Sequence, residues 1–247
     1  MSRPEQTTAE ASQRAGGGAA GPDAARARLG AAGVRPPRYG LYLGLLAVLI
    51  FVVVVVHTVL GKPTAVRGIE PGKRIPPFAL PLAAGAVNGD ADVATHADEG
   101  SAGRIPACAE RGAGILNVCE LYERGPVVLA LLVDAGSCPA VLGEMQALAR
   151  EYPGVAFAGV AIKGERGPLR KLIAERGLTS VQVGIDSDGV LAGLYKLLSC
   201  PQVTFVLPGG VVQGPVLLST PSSQALSARV QALVAAARAH GWSAPRG

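Results

Sequence analysis

"PVVLALLVDAGSCPAVLGEM", residues 126–145, decides the fold. Its first half is a continuous apolar run, rich in Val and Leu, from 126 to 135. That is the pattern of a strand covered on both faces, as in an α/β sheet. The second half continues into "QALAREYPG" and places Val141, Leu142, Met145, Leu148 and Ala149 at helical spacing, with Pro139 suited to the first turn. Cys138 falls at the junction. A helix N-terminus presents free N–H groups and a partial positive charge, which stabilise thiolate and lower its pKa. Thiolate is the nucleophile of disulfide exchange. A redox dithiol would read Cys-x-x-Cys, but the fourth position here is Val141. The competing reading of Cys138 is a small buried hydrophobe at a strand end.

Outward from this stretch, "FALPLA" (78–83) predicts a short strand. A long stretch with little periodicity follows, at about 84–118, and "ILNVCELYERG" after it reads as a short helix or turn. Loops this long are unusual in compact domains unless stapled or functional. Downstream, "VAFAGVAIKG" predicts a second buried strand and "RGPLRKLIAERGL" a helix with Gly177 at its C-cap. "VQVGIDSDGVLAGLYKL" holds a strand, a turn and a short helix. "QVTFVLPGGVVQGPVL" alternates into a hairpin turning at Pro208-Gly209-Gly210. A last helix, capped by Ser222 or Ser223, closes the domain.

Residues 41–60, "LYLGLLAVLIFVVVVVHTVL", are apolar except for His57 and Thr58. About 20 such residues span a bilayer core. A cleaved signal peptide would have a shorter apolar region leading into small cleavage-site residues, and "HTVLGKPTAV" offers a poor site. An uncleaved transmembrane helix is expected. The preceding segment carries six arginines against three acidic residues, and the following flank has Lys62, Arg67, Lys73 and Arg74. The bias favours a cytoplasmic N-terminus. The domain then lies outside the cytoplasm, where disulfides persist, and all four cysteines (Cys108, Cys119, Cys138, Cys200) fall within it. The expected organisation is a disordered tail at 1–40, the membrane helix at 41–60, a Pro/Gly linker at 61–77, the domain at 78–241 and a short tail at 242–247.

The order of elements, with "PPFALP" opening the domain, Cys138 at the tip of a buried strand, Glu144-Met145 shortly after and "CPQVTFVLPGG" later, resembles the thioredoxin fold. More narrowly, the chain is similar to membrane-anchored redoxin and cytochrome-maturation proteins of the TlpA type. The resemblance implies a central mixed sheet flanked by helices. It sets Cys138 on the nucleophilic cysteine and Val141 on the resolving one. It also implies that Pro201 is the cis-proline lying against the active site, so that Cys200 sits beside Cys138. Cys200 is then expected to replace the missing resolving cysteine, leaving Cys138 the exposed attacker and Cys200 the more buried sulfur. The implied activity is thiol-disulfide exchange with extracytoplasmic protein thiols or disulfides, and a membrane electron donor is a further candidate partner. The alternative is a non-enzymatic thioredoxin-like binding module whose cysteines are structural.

Cys108 and Cys119 read most simply as a structural disulfide, although four cysteines allow three connectivities and a second redox pair stays open. Rival chemistries find little footing. A peroxiredoxin would place Thr or Ser at 135 and Pro at 131, where Ala135 and Leu131 stand. The three histidines have no metal-ligand spacing to a cysteine, so no metal or other cofactor is expected. The net charge of +5 includes no basic run interleaved with aromatics, so no nucleic-acid partner is expected. Asp134 and Glu144 flank Cys138 as candidate proton acceptors, or simply as a strand-end and a solvated helix carboxylate.

Overall fold

The computed structural model describes residues 39–60 and 68–244. The expected tail at 1–40 lies outside them up to residue 38, as do 61–67 of the expected linker and 245–247 at the end. The chain divides into two units, the first ending at Lys62. Its described part is helix α1 (Tyr39–Leu60), which begins two residues before the expected 41. At 1.5 Å per residue it is about 33 Å long, enough for a hydrocarbon core of about 30 Å. From Tyr39 to Val56 it is long and apolar enough to cross a membrane, and none of that stretch is buried.

The second unit is built on β3 (Val127–Leu132), all six of whose residues are buried. The remaining elements are β1 (Ala79–Pro81), β2 (Ile115–Asn117), α2 (Val118–Arg124), α3 (Val141–Glu151), β4 (Ala156–Ile162) and α4 (Arg166–Glu175). After them come β5 (Val181–Asp186), α5 (Val190–Leu194), β6 (Gln202–Val206), β7 (Leu217–Leu218) and α6 (Ser223–Ala239). The main sheet runs β5-β4-β3-β6-β7. β3 is parallel to β4 and antiparallel to β6, so the sheet is mixed.

Successive β3 side chains point to opposite faces, and each face has its own cover. Val128, Ala130 and Leu132 join Leu142, Met145, Leu169, Leu226, Val230 and Leu233 from α3, α4 and α6 in a first core, and the opposite face of the sheet builds a second. Leu129 and Leu131 join Phe78, Leu80, Leu116, Leu191 and Tyr195 on the other side. Two covered faces explain why the β3 sequence shows no polar alternation. Each fully buried Val or Leu is worth about 1.5–3 kcal/mol relative to exposure.

Three expected boundaries move. Residues 68–77 are part of the domain rather than a spacer. Ile75 is buried, its N–H donates to Gly210 O at 2.9 Å, and Gly72 and Lys73 exchange backbone hydrogen bonds with Val212. These partners lie about 140 residues downstream, so linker composition could not announce them. The long segment expected as a loop at about 84–118 contains β2, which pairs antiparallel with β1. A three-residue strand is too short for its period to be read. At the other end Trp242 packs against the first core, so the expected tail at 242–247 begins later.

The 84–114 segment is tied down by polar groups. Asn117, buried, accepts from the N–H of Cys119 and Glu120 through Oδ1, capping α2. Its Nδ2 donates to Ala107 O and Glu110 O, both at 2.7 Å. From α4, Arg166 donates to the carbonyls of Leu82, Ala83, Gly85 and Val87, and Arg170 to those of Ala83 and Gly85.

Candidate functional site

β3 ends at Leu132 and opens into an exposed bend at 134–137. A single tight helical turn, Cys138–Ala140, then carries Pro139 and leads into α3. Cys138 N–H donates to Ala135 O at 3.3 Å, which closes the bend. On the neighbouring strand, Gln202 pairs with Leu131 in antiparallel register. Extending that register by two residues sets Cys200 opposite Val133. The Val133 N–H does point at Cys200 Sγ, at 3.1 Å. The peptide bond between Cys200 and Pro201 is cis, and Pro201 is buried.

This register brings together two cysteines 62 positions apart: Cys138 and Cys200 form a disulfide with a Cα–Cα separation of 5.5 Å. That separation lies in the ordinary range of about 4.4–6.8 Å. Val141, where a Cys-x-x-Cys motif would put its second sulfur, is fully buried in the first core. The expected order of exposure is reversed. Cys138 is only 5% exposed, packed with the first core, whereas Cys200 is half-buried. Solvent exposure on the Cys138 side is taken by the bend at 134–137. On the Cys200 side the loop itself is open, with Leu198 62% exposed.

Cys108 and Cys119 form the other disulfide, Cα–Cα 5.3 Å. Cys108 sits in the turn Ala107–Ala109 and Cys119, fully buried, in the first turn of α2. Both belong with the second core, Cys138 and Cys200 with the first. The two disulfides therefore lie on opposite faces of the sheet. Of the flanking carboxylates, Asp134 is exposed in the bend and Glu144 is half-buried in the first turn of α3.

The sequence reading missed Asp186. β3, β4 and β5 are parallel, so Asp186 at the end of β5 lies at the same end of the strands as the Cys138 bend. It is fully buried. Its carboxylate accepts from Gly189 N–H at 3.1 Å and Leu191 N–H at 3.0 Å, holding the turn into α5. Burial, with Asp188 adding to it, pushes its pKa up to about 7 against the pull of those two N–H donors. "IDSDGV" did carry a signal: Asp before Ser-Asp-Gly is a side-chain-capped turn, which buries the carboxylate when it follows a core strand. Among the described residues no three His, Cys, Asp or Glu side chains group to hold a metal ion.

No protein-family model matches the chain. No curated protein matches it either. Solved structures do. One, described as a thiol:disulfide interchange protein DsbE from Chlorobium tepidum, aligns over 68% of this chain and 99% of its own, with TM-score 0.51 and 17% identity. A secreted Mycobacterium tuberculosis disulfide oxidoreductase homologous to E. coli DsbE aligns over 48% and 89%, with TM-score 0.43 and 23% identity. A thiol-disulfide oxidoreductase from Bacteroides fragilis aligns over 65% and 99%, with TM-score 0.46 and 18% identity. The first of these carries the fold assignment: the domain is thioredoxin-like, a mixed sheet flanked by helices.

Proposed function

We propose that this chain is a membrane-tethered thiol-disulfide oxidoreductase, held by α1 with its domain on the extracytoplasmic side and using Cys138 and Cys200 as its redox pair. The observation that carries the reading is the Cys138–Cys200 bond beyond the C-terminal end of the central strand β3, one sulfur ahead of α3 and the other ahead of Pro201. A disulfide joining a helix start to an open loop is accessible to exchange from one side. Its partners are extracytoplasmic protein thiols or disulfides, with a membrane donor or acceptor renewing the pair. The location is supported by the apolar α1, by the arginines ahead of it and by the placement of every cysteine after it. The Cys108–Cys119 bond serves as a structural staple.

Equilibration of the folded protein with glutathione buffers, followed by thiol-specific mass tagging, tests the activity. One pair should reduce without unfolding, and it should map to Cys138 and Cys200. An alkaline phosphatase fused to the C-terminus should be active in bacteria. An inactive phosphatase with an active cytoplasmic reporter would reverse the topology. The burial of Cys138 favours one second reading, a thioredoxin-like binding module with structural cysteines. In that case neither bond reduces short of unfolding.

A further inference from the structure

We infer that Cys200, not Cys138, is the sulfur that meets the substrate, and that Cys138 is the buried resolver. This rests on the redox reading above and inverts the order that the position of Cys138 in its motif suggests. Three observations carry it.

The first is access. Exchange proceeds by attack on a sulfur from the side opposite its partner, so the attacked or attacking atom must be reachable. Cys138 is 5% exposed and packed among first-core side chains that include Val141 and Met145. Cys200 is half-buried on a loop whose Leu198 stands 62% exposed.

The second is stabilisation of charge. The Val133 N–H, 3.1 Å from Cys200 Sγ, donates into the sulfur that would carry the negative charge. A hydrogen bond to the charged form favours thiolate. This N–H is the strand-end group that β6 would have paired had its register continued, so the donor is held by the sheet.

The third is the leaving group. Cys138 lies in the turn that runs into α3, an eleven-residue helix. The positive end of that helix favours negative charge nearby, so it stabilises Cys138 Sγ as the sulfur that departs.

The steps balance in either direction. With the pair reduced, Cys200 thiolate attacks one sulfur of a substrate disulfide. That bond breaks, a mixed disulfide forms on Cys200, and the other substrate sulfur leaves as thiolate and takes a proton. Cys138, deprotonated, then attacks Cys200 Sγ. The mixed disulfide breaks, the second substrate thiolate leaves, and the Cys138–Cys200 bond carries away the two-electron deficit. With the pair oxidised, a substrate thiolate attacks Cys200 Sγ, forms a mixed disulfide there and expels Cys138 as thiolate. A second substrate thiolate then attacks the substrate sulfur of that mixed disulfide and Cys200 leaves as thiolate, so the substrate holds the new disulfide and the pair holds the two electrons.

The test uses the full-length chain in detergent, with Cys138→Ser and Cys200→Ser variants and oxidised glutathione as the probe. Cys138→Ser should form a glutathione adduct on Cys200 at least ~10-fold faster than Cys200→Ser forms one on Cys138. In the wild-type protein, reduced glutathione followed by rapid acid quenching should leave the adduct on Cys200. This second measurement decides the matter even if a variant fails to fold. Adducts forming on Cys138 as fast or faster would overturn the inference and leave the redox reading standing. If neither cysteine takes an adduct and the wild-type bond resists excess dithiothreitol without unfolding, the redox reading itself fails.

Discussion

Val133 donates its backbone N–H to Cys200 Sγ across 3.1 Å, joining the end of β3 to the residue ahead of Pro201. The contact uses a backbone N–H of β3's end and no atom of Cys138. It should persist and strengthen when Cys200 becomes a thiolate. In a Cys138→Ser variant, the Val133 amide proton should move downfield as pH rises, with a midpoint below the usual thiol value of about 8.5. Nuclear magnetic resonance titration of a ¹⁵N-labelled sample reads this directly. A Val133 amide that ignores the titration of Cys200 would show the N–H to be a bystander.

The Cys108–Cys119 bond closes a loop with sequence separation 11 on the face of the sheet away from Cys138. Removing it by a double Cys→Ser change should cost about 3 kcal/mol and lower Tm by roughly 5–10 °C. Residues 84–114 should become more sensitive to protease, because Asn117, the α4 arginines and the backbone pairing of Asp92 with Ala79 would then hold that segment without a covalent tie. Glutathione exchange at Cys138–Cys200 should be unchanged. Lost exchange with unchanged melting would make Cys108–Cys119 the redox pair instead.

Asp186 predicts a particular pH dependence. Its pKa rises from an ordinary 3.8 to about 7 in the folded protein, so folding favours its protonated form. Its contribution is fully present below about pH 4 and is lost as pH rises through about 7, with a slope of at most about 1.4 kcal/mol per pH unit. Glu99, held down by hydrogen bonds from Thr95, and Glu123, held down by Arg111, titrate in the opposite sense at lower pH. The effect is therefore read as a difference between wild type and Asp186→Asn. Denaturant unfolding at steps from pH 4.5 to 8 should give a flatter profile for the variant. Parallel profiles would mean that Asp186 ionises normally.

Gly184 on β5 is where the β1–β2 pair seats on the sheet, through a bridge to Leu82. A Cβ there would run into Leu80 Cδ1 and come within 2.9 Å of Leu116 Cδ2. Gly184→Val should therefore lift β1 and β2, at a cost of about 1–3 kcal/mol. Hydrogen exchange should increase at 79–82 and 115–117, while β3 and β4 stay protected. Uniform loss of protection would mean that the pair is not a separable layer.

The sequence by itself determined the features whose physics is local. The unbroken apolar run of β3 announced a strand covered on both faces. The helical spacing from Val141 to Ala149 announced α3, and the junction between them put Cys138 at a helix start. The length of the apolar run near Tyr39 announced a helix able to cross a membrane. The resemblance to thioredoxin-like proteins drew attention to Cys200 and Pro201, but no local pattern relates Cys200 to a cysteine 62 positions earlier. Only the pairing of Leu131 with Gln202 sets Val133 against Cys200 and brings that sulfur to Cys138. The same holds for the docking of 68–77 onto the turn at 207–212, the seating of β2 on β1 and the burial of Asp186. Which cysteine stays near solvent was likewise decided in three dimensions: it depends on how tightly α3 packs under Cys138 and how far the loop before β6 stands open. Period and capping act over one or two turns of chain, whereas register, exposure and desolvation are set by residues that meet only once the sheet has closed.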